Sequence, residues 1–308
     1  MITIQAMDRS QWPEVARLIH DSTNSWYRNR GLPEIFSHGP QSTLLFCEVY
    51  ESLDPGCCLV AFDSDSNEIV GSCFWHPRTT HVSLGIMNVH PSQFGRGIGT
   101  RLLREITDIA DQRNLPVRLV ASAMNLNSFS LYNRAGFAPQ AVFQDMLISV
   151  TDNTIEAGKT HSSEHVRPAT DSDIPCIVRL EHELLGIKRE QDFHFFLRNE
   201  LQIWNTLVIE SPTGECDGFL TAIRHPCSNM IGPGAARTES AMIALTSRML
   251  SFHRNNTAIM LVPATAGKLA YTLYQWGAKN CELHLSQVRG NSQLSSGVIV
   301  PSFMPESG

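Results

Sequence analysis

The sequence predicts an α/β fold with a mixed sheet, built as two similar domains in tandem. Strand and helix patterns alternate through residues 1–150, which is typical of this fold class. The 308 residues exceed one ordinary domain and suit two of about 150 residues. An internal repeat supports two domains, because residues 10–20 align without a gap with residues 172–182. The identical pairs are Ser10/Ser172, Pro13/Pro175, Arg17/Arg179, Leu18/Leu180 and His20/His182.

The elements of the first half follow from local patterns. Ser10 as N-cap and Pro13 in the first turn predict a helix over 10–22. A later helix is predicted over 97–113, where Leu102 and Ile106 share one apolar face. Further helical stretches are predicted at 41–52 and 127–135, and strands at 2–6, 57–63, 68–76, 80–90, 116–123 and 140–149.

A polar segment separates the two halves. Residues 151–164 are nearly free of large apolar side chains, and we expect them to be a linker that does not pack by itself. The predicted domains are therefore residues 1–150 and 165–308. A second pair of similar segments supports the duplication, because LYNRAGF at 131–137 has a counterpart in LYQWGA at 273–278.

Composition, net charge and cysteine spacing indicate which classes of protein fit the sequence. The chain has 42% hydrophobic and 18% charged residues, which fits a globular protein, and its net charge of −6 argues against a nucleic-acid partner. No apolar run is long enough to span a membrane, and the first residues do not have the pattern of a signal peptide, so we expect a cytoplasmic protein. We expect it to be a monomer or a homodimer. None of the eight cysteines forms a Cys-x-x-Cys pair, so no metal site is expected.

A glycine-rich segment follows the predicted strand 80–90 and opens the helix at 97. It reads Phe94-Gly95-Arg96-Gly97-Ile98-Gly99-Thr100. Glycines let the backbone approach a ligand, and the first N–H groups of a helix lack internal partners. A diphosphate could accept several hydrogen bonds there, with added charge from an arginine. A tight turn that binds no ligand would show the same glycines.

Two other nucleotide-binding motifs do not fit the chain. The Rossmann pattern needs Gly-x-Gly-x-x-Gly after the first strand of its unit. The Walker pattern needs a glycine five residues ahead of Gly-Lys-Ser/Thr, and Asn153 stands at that place before Gly158-Lys159-Thr160.

A second motif occupies residues 125–137, after the predicted strand 116–123. Asn125 can bond at the strand end, Asn127 or Ser128 can cap a short helix, and Gly136 suits its C-terminal end. Tyr132 lies one turn beyond Ser128, on a face that could meet a ligand. Alternatively, it is a half-buried core aromatic.

Together the two segments closely resemble the GNAT superfamily of acyl-coenzyme A-dependent N-acetyltransferases. The resemblance covers residues 1–150, and residues 165–308 resemble the degenerate second domain of tandem GNAT proteins. It implies acetyl-coenzyme A as cosubstrate and a primary amine of a small molecule or peptide as acceptor. The residues that carry it are Val89-His90-Pro91, Gly95-Arg96-Gly97-Ile98-Gly99, Leu102-Leu103, Asn125, Ser128, Leu131-Tyr132 and Gly136-Phe137.

The resemblance also implies a role for each site residue. Asn88 and Val89 would pair with the pantetheine arm and polarise the acetyl carbonyl. Asn125 and Ser128 would belong to the cofactor site, and Tyr132 would protonate the departing thiolate. The residues of the pyrophosphate loop would be Phe94, Gly95, Arg96, Gly97, Ile98, Gly99 and Thr100.

Two departures from the family pattern concern phosphate binding and the general base. Phe94 stands where the family usually has Gln or Arg, which removes one polar phosphate contact. Ser83 replaces a common Glu or His and could at most orient a water molecule. His81, two residues earlier on the same strand face, is the candidate base. An ordinary sheet histidine, with water as the proton acceptor, is the alternative.

The second half lacks the expected cofactor loop. Pro233 removes a backbone donor there, and Thr238-Glu239 predict a self-capped helix whose carboxylate would repel a diphosphate. The counterparts of Asn125, Ser128 and Tyr132 are Gly267, Ala270 and Tyr274, and we expect Tyr274 to be structural. Apart from an N-acetyltransferase, a non-catalytic acetyl-coenzyme A-binding or sensing protein and a scaffold protein remain alternatives.

Overall fold

A computed structural model describes residues 1–161, 165–211, 213–304 and 306 of the chain. The chain divides into two compact units. The first contains Met1–Pro77, His81–Val117 and Met304–Glu306, and the second contains Arg78–Thr80 and Arg118–Phe303. Within the described residues, no helix is both long and apolar enough to cross a membrane.

The first unit is an antiparallel sheet flanked by helices. Its elements are β1 Ile2–Ala6, α1 Trp12–Arg28, α2 Leu44–Leu53, β2 Cys58–Asp63, β3 Glu68–Pro77, β4 Val82–Val89 and α3 Ile98–Gln112. The strands lie in the order β1-β2-β3-β4. Helix α3 packs on β3, where the side chains of Ile98 and Leu102 cover Gly71.

A β-bulge interrupts the pairing of β3 with β4. Cys73 pairs with Met87 but Trp75 pairs with Leu84, so two residues of β4 oppose Phe74 alone. Gly85 is one of the two, and a Cβ atom there would lie 2.9 Å from the carbonyl oxygen of Phe74. Glycine is therefore needed for the close approach of the two strands at this bulge.

The second unit is a larger mixed sheet. Its strand order is β5-β12-β6-β11-β10-β9-β8-β7, with β13 on β10, and β10 runs parallel to β11. All of β5 except its first residue lies in this unit. The elements are β5 Val117–Ser122, α4 Leu126–Arg134, β6 Ala138–Ser149, α5 Asp152–Lys159, β7 Val166–Pro168, α6 Ile174–Leu185, α7 Glu190–Arg198, β8 Trp204–Glu210, β9 Cys216–Ile223, β10 Met230–Ala236, α8 Glu239–Leu250, β11 Thr257–Pro263, α9 Gly267–Gln275, β12 Lys279–Arg289 and β13 Val298–Val300.

Strand β6 has both of its partners in the second half of the sequence. It pairs antiparallel with β11 on one side and with β12 on the other. Met146 and Ile148 are fully buried and belong to the same apolar cluster as Met260 and Val262. The compact units therefore separate near Val117, ahead of β6, whereas the sequence predicted a boundary at residue 150.

Part of the predicted linker is a packed helix. Helix α5 begins directly after Thr151, whose hydroxyl caps it by accepting a hydrogen bond from the N–H of Thr154. Ile155 is buried, and the carbonyl of Gly158 accepts a hydrogen bond from Ser247 on α8. The prediction of an unpacked segment is wrong for residues 152–159, because α5 is capped by Thr151 and packs on α8. Residues 162–164 lie outside the described residues.

Replacing Gly71 with alanine is expected to destabilise the first unit by about 1–3 kcal/mol. The new Cβ would lie 2.8 Å from Ile98 Cγ2 and 3.2 Å from Leu102 Cδ1, so α3 would have to move. Denaturant unfolding followed by circular dichroism measures the loss. Gly39→Ala is the control, because its Cβ would meet only the end of the Gln41 side chain at 3.4 Å. Equal stability of the two variants would contradict the packing described for α3.

Candidate active site

The glycine-rich segment of the first unit is an exposed turn between β4 and α3. The N–H of His90 donates to the carbonyl of Val70 at 2.9 Å, and residues 91–93 form one turn of 3-10 helix. Gly95 and Gly97 follow with φ angles of +82° and +74°. Residues other than glycine rarely adopt this left-handed conformation, and a Cβ atom added at either glycine would have no atom within 4 Å. The turn thus has open space beside its backbone.

The first backbone N–H groups of α3 have no acceptor within the helix. Gly97 is the N-cap and makes no side-chain cap, and the first turn contains no acidic residue. Arg101 N–H donates to the carbonyl of Gly97 at 3.1 Å. The N–H groups of Ile98, Gly99 and Thr100 therefore precede the helical hydrogen-bond ladder, at the positive end of the helix dipole. This arrangement suits an anion.

Two side chains of the loop add little to anion binding in this conformation. Arg96 Nη1 lies 3.1 Å from Asp63 Oδ2 and also contacts Gln93 Oε1, so its charge is already partly compensated. A hydrogen bond from the N–H of Asp65, followed by that from Arg96, holds the pKa of Asp63 below its usual value. Phe94 is 59% exposed and offers no polar atom beyond its backbone. The backbone is thus the main donor set of the loop.

The end of β4 lies directly before the loop. Val89 pairs with Gly71, and the Asn88 amide donates to Ser22 Oγ on α1 at 2.8 Å. Asn88 and Val89 are half-buried. The Asn88 side chain therefore holds α1 against the strand, a role that the sequence did not predict.

The two residues considered for the general base are buried. His81 immediately precedes β4 and is 1% exposed, and Ser83 within β4 is 2% exposed. Ser83 lies opposite His76 of β3.

Sequence reasoning missed a buried polar cluster around His76. Nδ1 of His76 lies 2.7 Å from Asp54 Oδ2, and Nε2 lies 3.6 Å from Glu306 Oε2. The Tyr50 hydroxyl donates to the same Glu306 oxygen. Burial lowers the pKa of His76, but its hydrogen bond to Asp54 and the nearby carboxylates of Asp54 and Glu306 outweigh this and leave the pKa above its ordinary value. Since Asp54, His76 and Glu306 are far apart in the sequence, no local motif could have revealed them.

This cluster is expected to make stability depend on pH. A histidine with a raised pKa stabilises the fold fully below its unfolded pKa of about 6.5, and that contribution is lost as the pH rises through the folded pKa. The stability advantage of wild type over His76→Gln should therefore shrink above about pH 6.5, as measured by urea unfolding across pH. His194→Gln, an exposed histidine of α7, is the control. An advantage that grows with pH would contradict the assigned sign.

The second motif forms α4 in the second unit. The Asn125 side chain accepts a hydrogen bond from the N–H of Ser128 at 3.2 Å, so Asn125 is the cap, not Asn127 or Ser128. Gly136 ends the helix with φ +90°, as predicted. Tyr132 is 7% exposed, and its ring centroid lies 5.8 Å from that of Phe137.

The structure corrects the predicted counterpart of Tyr132. Helices α4 and α9 each have nine residues, and each is followed by a glycine with positive φ, Gly136 at +90° and Gly277 at +89°. This register puts Leu273 at the position of Tyr132 and moves Tyr274 one residue further. Tyr274 is accordingly 43% exposed, and its hydroxyl donates to Gln144 Oε1 at 2.7 Å. By the same register, Ala266 and Leu269 replace Gly267 and Ala270 as the counterparts of Asn125 and Ser128.

Helix α8, which matches α3 in the second unit, has a side-chain cap at its start. Strand β10 continues to Ala236, and Thr238 caps α8 by accepting from the N–H of Ala241 at 3.2 Å. Glu239 lies in the first turn, and its carboxylate accepts from the N–H of Leu269 at 2.7 Å. This self-capped start was predicted, and it contrasts with the uncapped start of α3.

Comparison with protein families gives two matches in one chain. The GNAT acetyltransferase family model matches residues 16–137, and a second GNAT acetyltransferase domain model matches residues 177–295. Together they cover most of the chain. No curated protein matches the sequence.

Solved structures show the same fold at low sequence identity. A proposed acetyltransferase from Pyrococcus horikoshii has a TM-score of 0.73 at 18% identity, covering 97% of this chain and 92% of the other. A GCN5-related N-acetyltransferase from Sphaerobacter thermophilus has a TM-score of 0.62 at 16% identity, covering 96% and 98%. N-myristoyltransferase of Saccharomyces cerevisiae with bound myristoyl-CoA has a TM-score of 0.62 at 10% identity, covering 97% and 89%. The chain therefore belongs to the GNAT family, as an acyltransferase with two GNAT domains in tandem.

Proposed function

We propose that the chain is an N-acetyltransferase that moves an acetyl group from acetyl-coenzyme A to a primary amine of a small molecule or peptide. The observation that carries the proposal is the exposed glycine turn with free amides at the start of α3. The corresponding helix start of the second half is capped by Thr238 and has the acidic Glu239 in its first turn. We therefore assign cofactor binding to the first half alone, with residues 165–308 as the degenerate domain.

The loop would bind the pyrophosphate of coenzyme A mainly through its backbone. The N–H groups of Gly95 and of Gly97 to Thr100 would supply the donors, since that of Arg96 donates to the carbonyl of Gln93. The helix dipole favours the negative charge. Arg96 could add charge only by sharing or leaving Asp63, 3.1 Å away. We expect Asn125 and Ser128 to belong to the cofactor site as well.

The proposed reaction is direct attack in a ternary complex. The neutral amine forms a bond to the thioester carbonyl, negative charge collects on its oxygen, and the carbon–sulfur bond then breaks. The N–H of Val89 is proposed to stabilise that oxygen in the transition state. Tyr132, a phenol with an ordinary pKa of about 10, would give its proton to the departing thiolate. The free thiol of coenzyme A and the N-acetylated amine are the products.

The attacking amine must lose a proton. We propose His81 as its acceptor, directly or through a water molecule that Ser83 orients. Both side chains are buried. They lie at the start of β4, whereas Val89 is its last residue. Such a route therefore requires that ordered water connect the start of β4 with the amine near Val89.

The length of the acyl chain is the first property to test. One structural relative holds myristoyl-CoA, so the fold accepts long chains in that protein. Thiol release from acetyl-, butyryl- and myristoyl-coenzyme A with a panel of primary amines would measure the preference. We expect turnover with acetyl-coenzyme A, and turnover only with long chains would contradict the acetyl assignment.

A sensing role is the second candidate function. The first half has Ser83 in place of a general-base carboxylate and the apolar Phe94 in the loop, which favours a protein that binds acetyl-coenzyme A without turning it over. Calorimetry would show binding under both functions. Release of thiol on adding amines would occur only in the enzyme.

A further inference from the structure

Three potential metal ligands meet on one face of the second unit. Strands β6 and β12 pair antiparallel, with Asp145 opposite Glu282 and with His284 two residues further along β12. Side chains two residues apart point to the same face of a strand, so Glu282 and His284 both lie beside Asp145. The three residues are buried, with exposures of 8% for Asp145, 8% for Glu282 and 5% for His284.

The distances within this group are too long for hydrogen bonds. His284 Nδ1 lies 3.6 Å from Asp145 Oδ2, and His284 Nε2 lies 3.9 Å from Glu282 Oε1. One ligand atom from each residue can be chosen so that all three lie within 4.8 Å of one another. Ligand atoms that each lie about 2.0–2.2 Å from one Zn²⁺ ion must be within about 4.4 Å of each other, so a small contraction would complete the site.

Two polar atoms of this group are buried without a hydrogen bond to another described residue. His284 Nδ1 has no hydrogen-bond partner among the described residues, although the side chain is only 7% exposed. Asp145 Oδ1 likewise accepts no hydrogen bond there. A buried polar atom without a partner costs about 1–3 kcal/mol. A cation between the strands would satisfy both atoms.

We propose that Asp145, Glu282 and His284 bind a divalent transition-metal ion of the Zn²⁺ class. One imidazole and two carboxylates suit Zn²⁺, whereas Mg²⁺ and Ca²⁺ prefer sites made of oxygen atoms alone. The ion would join β6 to β12, that is, the last predicted strand of the first half to a strand of the second. The sequence predicted no metal, because residues 145 and 282 share no recognisable spacing.

The test uses the full chain after removal of metals with a chelator. Titration with ZnCl₂ by calorimetry should give one bound ion per chain, and Zn²⁺ should raise the thermal unfolding midpoint. Asp145→Asn and His284→Gln should each weaken Zn²⁺ affinity at least about tenfold. His253→Gln is the matched control, because His253 is also fully buried with both ring nitrogens unpartnered among the described residues, and it belongs to no such carboxylate group. It should bind Zn²⁺ like wild type.

Two outcomes would overturn the proposal. One is the absence of stoichiometric Zn²⁺ binding to the wild-type chain. The other is wild-type affinity in Asp145→Asn and His284→Gln, which would locate the ion on other residues. Far-UV circular dichroism checks that the variants fold. If they do not, the visible spectrum of the Co²⁺-loaded wild type decides, since a tetrahedral nitrogen and oxygen site gives intense bands and a hydrated surface ion does not. Neither result depends on acyltransfer activity.

Discussion

Replacing Gly97 with valine is expected to weaken acyl-coenzyme A binding by at least about tenfold, or about 1.4 kcal/mol. Gly97 has a φ angle of +74° at the start of α3, a conformation that a β-branched residue adopts only with strain. The strained loop would rotate its amides away from the diphosphate. Calorimetry with acetyl-coenzyme A, or with coenzyme A itself, measures the loss directly.

Gly56→Val is the matched control for this prediction. Gly56 belongs to another turn of the first unit, has a φ of +75°, and its Cβ position is equally open. The two substitutions should therefore cost similar stability, about 1–2 kcal/mol. Only Gly97→Val should lose cofactor affinity. If both variants bound acetyl-coenzyme A like wild type, the assignment of the loop would be wrong.

The Tyr132→Phe variant is expected to lower kcat by at least about 100-fold, with little change in acetyl-coenzyme A affinity. The change removes one hydroxyl group and keeps the buried ring, so packing against Phe137 is retained. A general acid typically contributes a factor of about 10²–10⁴ to the rate. An interaction made only in the transition state changes kcat and leaves ground-state binding intact.

Tyr274→Phe is the control for the proposed acid. It also removes one tyrosine hydroxyl in the second unit, there bonded to Gln144 Oε1 at 2.7 Å, on a side chain that is 43% exposed. Its kcat should equal that of wild type. A slower rate in both variants would indicate a structural effect of losing either hydroxyl. An unchanged rate in Tyr132→Phe would exclude Tyr132 as the acid.

Local patterns predicted most of the elements, because each depends on neighbouring residues. The apolar face of α3 and the capped start of α8 were both evident from short segments. The loop glycines likewise indicated positive φ angles, which the structure has at Gly95 and Gly97. Even local contacts were not all predicted, because the cap of α4 is Asn125 and not Asn127 or Ser128.

Features that depend on distant partners could not be predicted in this way. Nothing within 138–149 shows that β6 pairs with β11 and β12, since any buried strand has the same apolar pattern. The helix predicted as linker packs on α8, and Ile155 belongs to the same buried apolar cluster as Leu250. The sequence comparison aligned Tyr274 with Tyr132. The glycine that ends α4 follows Tyr132 by four residues, whereas the glycine that ends α9 follows Tyr274 by only three, so the two tyrosines are not equivalent.

A crystal structure of the protein with coenzyme A tests the central claim most directly. We expect the pyrophosphate oxygens to lie at hydrogen-bond distance, about 2.7–3.2 Å, from backbone nitrogens between Gly95 and Thr100. A diphosphate bound elsewhere, or a turn that remains without it at saturating coenzyme A, would contradict the account.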